Sequence, residues 1–379
     1  MQQFRNLKEV ICHFSDEQKC IDFLVQQRWG GCPVCPYCKS DKWYSIENGK
    51  RFKCANKECH KKYSVTVGTI FHASNIPLTI WFPAAYLISA HKKGISSCQL
   101  ARDLGVTQKT AWFMLHRIRE SLRNKESIFL KNVVEVDELY YQTKTRDESI
   151  SAKDSVYDFK NKSMIVGMIE RAGELKLEVS PNMARSNLYS IVHKNIDKAA
   201  SLMTDGESAY SGIGKGYASH QSVNHRSGEY VRGDVHTNTI EGAFGLFRRT
   251  IIGTYHKLSP KHLARYCDEM QYRYNSRKLK DGQRFEVTLN RLESRLSWKQ
   301  LTQDNGLTAE TVIEPHIPSV TIGVPGKKTP IRQMQNGKVI ATYPSIVDAE
   351  IATGIKKQSI SRVLRGRRLS AGGFEWEYL

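Results

Sequence analysis

VVEVDELYY, residues 133–141, decides how the middle of this 379-residue chain is read. Val134 and Val136 alternate with Glu135 and Asp137, the period of a strand that carries carboxylates on one face. SMIVGMIE at 163–170, LKLEVS at 175–180 and SLMTDG at 201–206 are strand-like as well. Helix-like stretches lie between and after them, so residues 129–302 are expected to form an α/β domain. SLMTDG closes on Asp205-Gly206, a strand end, and open α/β sheets place their sites there.

HTNTIEGAFGLFRRTIIG, at 236–253, predicts a helix capped near Thr237. Asn238, Glu241, Gly245 and Arg248 fall at i, i+3, i+7 and i+10, on one face, with Phe244 and Phe247 to one side as anchors. Two aspartates from strands and one Glu or Asn from a helix can hold two divalent ions roughly 4 Å apart. Magnesium, or manganese in its place, suits such a set, because water and phosphate oxygens complete its shell. Whether Asn238 or Glu241 is the third ligand stays open. Arg248 could grip a phosphate bidentately. A lone strand aspartate is more often a turn or edge residue; the combination is what points to a site.

Toward the N-terminus, Cys35-x2-Cys38 and Cys54-x4-Cys59 have the spacing of two knuckles that offer zinc four thiolates. Cys32 rivals Cys35, and His60 rivals Cys59. Of nine cysteines most lie early in the chain, and that cluster reads as metal ligands rather than disulfides. Residues 94–123 have the pattern of a helix-turn-helix. Leu100, Ala101 and Leu104 face inward, Gly105 fits the turn, and Thr107 caps a second helix packed through Ala111, Met114, Leu115 and Ile118. Gln108, Lys109 and Thr110 would meet base edges, with Arg117 further along the helix as another DNA contact. Ser15 with Gln18 predicts a capping box inside helical residues 1–30.

These readings give a multidomain α/β chain: N-terminal helices 1–30, a zinc ribbon 31–75, a helix-turn-helix region 76–128, a mixed-sheet core 129–302, a Pro/Gly-bearing linker 303–330 and a small basic module 331–379. The first two segments and the helix-turn-helix are expected to be separable from the core. Fifty-seven Lys and Arg against 38 Asp and Glu, a formal +19, imply a polyanion partner, and double-stranded DNA fits the motifs. No apolar run is long enough to span a bilayer. The N-terminus lacks a secretory pattern, so the expected location is cytoplasmic, on the nucleoid.

The chain resembles insertion-sequence transposases of the ISXO-like DDE type. The resemblance rests on CPYC at 35–38, YSVTVGTIFHASNIPLTIWF at 63–82, EVDE at 135–138, TDGESAY at 204–210, HTNTIEG at 236–242 and GTYHKLSPKHLARYCDEMQYRYNSR at 253–277. It implies an RNase H-like core, Asp137 and Asp205 as ligands of the catalytic metal, and Asn238 and Glu241 in the third motif. It also implies assembly as a homodimer or higher oligomer on DNA. The second knuckle departs from the pattern, with four intervening residues where two are usual. Phe244 stands where Trp is common, and Arg248 where Lys is common. Residues 331–379 are similar to the NUMOD modules found beside homing endonucleases. There a strand pair around Asn336-Gly337 would precede two helices, with Lys357, Arg362 and Arg365 toward phosphates. The other functions compatible with the sequence are a non-catalytic DNA-binding regulator and an RNase H-like nuclease that joins no strands.

Overall fold

The computed structural model describes residues 4–124, 128–142, 162–182, 184–206, 210, 212–303, 330–335, 338–364 and 370–378. The chain divides into two compact units, Met1–Ala55 with Lys61–His316, and Ile317–Leu379 with the short turn Asn56–His60.

The first unit opens with α1 (Leu7–His13) and α2 (Glu17–Trp29). The Ser15–Gln18 capping box does not form. Asp16 is the N-cap of α2, and Gln18 Nε2 instead donates to Asp22 Oδ1, one helical turn on, at 2.8 Å. A small antiparallel sheet follows, ordered β1 (Trp43–Ile46), β2 (Arg51–Cys54), β3 (Lys62–Tyr63). Next come α3 (Leu78–Ala90), α4 (Ser97–Leu104) and α5 (Gln108–Leu122).

The central sheet is built from β4 (Val133–Gln142), β5 (Lys162–Glu170), β6 (Leu175–Ser180), β7 (Ser201–Asp205) and β8 (Ser219–Val223), with α6 (Arg185–Asn195) between β6 and β7. Its order is β6-β5-β4-β7-β8. β4 pairs antiparallel with β5 and parallel with β7, and β7 pairs parallel with β8. This is the RNase H-like mixed sheet. Alternation along β4 sends Val134 and Val136 into the apolar layer under α6, and Leu139 into the layer under α7 (Asn238–Thr250) and α8 (Leu263–Asn275). Glu135 and Asp137 share the face of Leu139. Gly167 of β5 lies opposite Asp137, and a Cβ there would sit 2.5 Å from Phe244 and 2.7 Å from Ile240. The bare glycine is what lets α7 lie this close to the sheet.

α9 (Asp281–Asn290) and α10 (Trp298–Thr302) complete the unit. The expected independence of the N-terminal segments from the core does not hold. Phe14, Leu24, Phe82, Leu100 and Leu115 share one apolar cluster with Tyr272, Phe285 and Leu289 of α8 and α9.

The second unit has a three-stranded sheet, β10 (Lys338–Tyr343), β9 (Ile331–Gln335), β11 (Glu375–Tyr378), with α11 (Ile346–Thr353) and α12 (Lys357–Leu364). Its core is Ile331, Ala349, Ile360, Ala371 and Trp376. The strand pair and two helices match the sequence reading, and β11 is an addition to it. Asn336, Gly337 and Arg365 lie outside the described residues, as does most of the expected linker.

Candidate functional site

Cys35, Cys38, Cys54 and Cys59 bring their sulfurs within 4.8 Å of one another. The residue after each second cysteine, Lys39 and His60, has a left-handed backbone (φ 63° and 46°), which turns the chain back beneath the sulfurs. Cys35 N donates to Ser40 O, and Cys54 N to Lys61 O, closing the two turns. Four thiols so gathered fit a structural zinc ion, whose sulfur ligands stand about 2.3 Å from the metal. Cys32 and His60 are not part of the set.

In the helix-turn-helix, Gly105 adopts the left-handed C-cap of α4, and Thr107 Oγ1 accepts from Thr110 N at 3.2 Å. Gln108 and Lys109 are exposed and Thr110 is half-buried. Lys109 Nζ sits 4.8 Å above the Trp298 ring, and Gln108 Nε2 donates to Ser97 Oγ. Arg117 is a correction to the sequence reading, because it is buried and cannot meet DNA. Its Nε donates to Leu296 O at 3.0 Å and its guanidinium packs on Phe113. Burial, with Arg295 nearby, lowers its pKa to about 10. Arg119 is also buried, 2.6 Å from Glu269 Oε2. Arg273 joins the same carboxylate at 2.5 Å, and Tyr255 donates to it at 2.6 Å. Burial alone would raise Glu269, but the two guanidiniums hold it at about 2.

The parallel pairing of β4 with β7 sets Val136 opposite Thr204, so Asp137 and Asp205 leave neighbouring strands side by side. Burial first, then the charges of Asp205 and Glu241, push Asp137 up to about 6; the Glu138 N–H and His225 oppose the shift. Asn238, Glu241 and Arg248 are exposed along α7, while Ile240, Phe244 and Phe247 are buried beneath it. Glu241 Oε1 accepts from Thr237 Oγ1 at 2.9 Å and lies 3.8 Å from His225 Nε2. Among the described residues only the cysteine set brings three or more such ligand atoms within 4.8 Å, so the carboxylates are neighbours rather than a closed cage. A buried carboxylate with its pKa raised, as at Asp137, beside two further acidic side chains is donor chemistry that a divalent cation relieves.

Three residues in or beside this site were not assigned roles from the sequence. His225 faces Glu241 across the loop after β8, and no spacing signal marks it. Glu135 sits within the quoted strand, and its partners are on α7. Gly167 interrupts an apolar run, the usual sign of a close approach.

In the second unit, Lys357 and Arg362 lie on α12, whose inner face carries the buried Ile360.

The sheet, with aspartates on adjacent strands, and the four-cysteine ribbon before it coincide with two family matches. Residues 129–275 match the ISXO2-like transposase domain, and residues 15–62 match the transposase zinc-ribbon domain. The chain thus carries an ISXO2-like transposase domain and a transposase zinc-ribbon domain. It is 26% identical over 274 residues to an uncharacterized protein in transposable element ISH50 of Halobacterium salinarum, an alignment covering 69% of this chain and 91% of that protein. Two solved structures also overlay. A pre-cleavage Mos1 transpososome does so at TM-score 0.23 and 13% identity, over 53% of this chain and 75% of that one. The Mos1 mariner paired end complex with Mn does so at 0.24 and 14%, over 57% and 75%. Scores this low carry no weight beside the sheet order and the domain matches. Among the described residues no helix is long and apolar enough to cross a membrane.

Proposed function

We propose that this DNA transposase cuts and joins strands at the inverted-repeat ends of an insertion sequence, with Asp137, Asp205 and Glu241 holding magnesium or manganese. The observation that carries this reading is the pair of aspartates on adjacent parallel strands, with the charge of Glu241 on α7 reaching Asp137. Divalent ions bound there would activate the attacking oxygen and stabilise the leaving 3′-oxygen. Asp137 and Asp205 supply anionic oxygens from the rigid sheet. Glu241 offers a third from α7, with Asn238 one turn earlier as the neutral alternative. Arg248, two turns on and exposed, is assigned a DNA phosphate.

Gln108, Lys109 and Thr110, at the start of α5, are assigned to base edges of the terminal repeat. Lys357 and Arg362 of the second unit are assigned to phosphates, and Arg365 beside them in sequence shares that assignment. Transposition needs both ends of an element in one complex, so two or more copies are expected to assemble on DNA.

The test is a gel assay with end-bearing DNA and Mg2+. A strand-joined product is expected. Cleavage without joining would replace this reading with a nuclease, and shifted but uncut DNA with a regulator.

A further inference from the structure

Glu135 stands two residues before Asp137 and is fully buried. Its Oε2 accepts the backbone N–H groups of Thr239 at 2.8 Å and Ile240 at 3.0 Å. Its Oε1 accepts the Thr239 hydroxyl at 2.9 Å and Arg171 Nε at 2.8 Å, with His236 Nδ1 3.3 Å away. The first N–H groups of a helix have no partner within it, and the aligned peptide dipoles favour an anion there. The N-cap residue Thr237 does not fill this role, because its side chain makes no capping bond and donates to Glu241 instead. The capping carboxylate of α7 therefore comes from β4, 104 residues away in sequence.

That origin matters. A cap drawn from the helix's own chain would satisfy the same donors and leave the helix free to shift over the sheet. A cap rooted in β4 ties the first turn of α7 to the strand that bears Asp137. Burying a carboxylate is costly unless it is paired. Arg171 supplies the opposite charge, and its second guanidinium nitrogen donates to His236 O at 3.1 Å, holding the segment that enters the helix.

We propose that Glu135 is a positioning residue that fixes the Asn238–Glu241 turn at a set distance from Asp137. Its consequence for metal binding rests on the reading of those residues as the catalytic set.

The test uses full-length Glu135→Gln, which keeps the shape but turns an amide NH2 toward donors, and Glu135→Asp, which keeps the charge but is one methylene short. Amide hydrogen exchange at Thr239 and Ile240 in zinc-loaded protein without Mg2+ or Mn2+ is expected to quicken about tenfold or more in both, the equivalent of one lost hydrogen bond to a charged group. Phe244 and Phe247, further along α7, should stay at the wild-type rate. Mn2+ affinity, followed by the electron paramagnetic resonance of the free ion, should weaken in parallel while zinc content stays unchanged. Exchange within twofold of wild type at Thr239 and Ile240 would overturn the anchoring. Faster exchange with unchanged Mn2+ affinity would reduce Glu135 to a cap without a positioning role. Asp137→Asn is measured alongside. If it binds Mn2+ as the wild type does, the catalytic-metal reading falls, and the exchange rates still decide the anchoring. Should neither Glu135 variant fold, Thr239→Val removes one donor alone. A smaller quickening at Ile240 is then expected, and none would overturn the proposal.

Discussion

α5 and α7 each carry their assigned function at the N-terminal end, yet they are fastened in opposite ways. In α5 the first turn is open: Gln108 and Lys109 are exposed, and the helix is locked at its far end, where Arg119 meets the buried Glu269. In α7 the first turn is itself the fastened end, held by Glu135, while Arg248 at the far end is exposed. The difference matches the two kinds of work proposed for them. Reading a groove tolerates side chains that adjust to their partner. Holding metal ions demands carboxylates whose separation does not change.

The largest effect should come from the lock on α5. Glu269→Ala leaves Arg119 and Arg273 buried without their shared carboxylate, which costs about 3–5 kcal/mol. Melting should fall by roughly 10 °C, and DNA binding and cleavage should be lost together. A variant that melts like the wild type would break the claim that this end of α5 is locked.

Asp137→Asn separates the two helices' roles instead. It should abolish cleavage and strand transfer, and leave end binding nearly intact. It should also stabilise the zinc-loaded protein in the absence of Mg2+ or Mn2+. Asp137 holds its proton up to about pH 6 when folded, against an ordinary value of 3.8, so its ionised form opposes folding above pH 6. That cost is relieved as the pH falls through 6 and is gone below 3.8. The variant should therefore melt a few degrees higher than wild type at pH 7.5, and level with it at pH 3.5. Mn2+ affinity of the wild type should rise with pH through the same range. Equal melting at pH 7.5 would mean that burial and the neighbouring acids put no cost on ionised Asp137.

Gly167→Ala tests the seat of α7. The added methyl group meets Phe244 and Ile240, an overpacking that costs about 1–3 kcal/mol. Cleavage should fall further than end binding, and loss of both in proportion would argue against a specific effect on α7.

Arg117→Met and Lys109→Ala split the two ends of α5. The first leaves buried carbonyls unpaired and should cost about 1–3 kcal/mol of stability, with the salt dependence of DNA binding unchanged. The second should leave melting alone and lower the salt slope by about one. The reverse assignment would return Arg117 to the DNA. Deleting residues 331–379 should flatten the salt slope by about three, for Lys357, Arg362 and Arg365, and leave melting of the first unit and the chemistry in place.

What the sequence made legible was local. The cysteine spacing, the alternation of Val134, Glu135, Val136 and Asp137, and the Gly105–Thr107 turn are each decided by residues a few positions apart. The fate of Arg117 and Arg119 was not local. Their partners, Leu296 O and Glu269, lie 179 and 150 residues away, so Arg117 looked like a DNA contact when it belongs to an internal seam. Glu135 was visible as a strand carboxylate, but its helix was 104 residues off. His225 has no periodic or motif signal, and only the folded loop brings it to Glu241. β11 was missed because EWEY is too short and too charged for its buried Trp376 to stand out.

The Arg119–Glu269 lock also bears on when a growing chain becomes active. Glu269 is made long after α5 has left the ribosome, and β4 must wait for the crossover through α6 before β7 can lie parallel beside it. Contacts of such long sequence separation form late. A nascent or truncated chain that stops before α8 has neither a finished reader nor a supported sheet. Its paired aspartates gain a stable setting only with the segment that also anchors α5. Under the function proposed above, synthesis order ties cutting to completion of α5's anchor, and incomplete products are poorly equipped to nick the DNA they were encoded on.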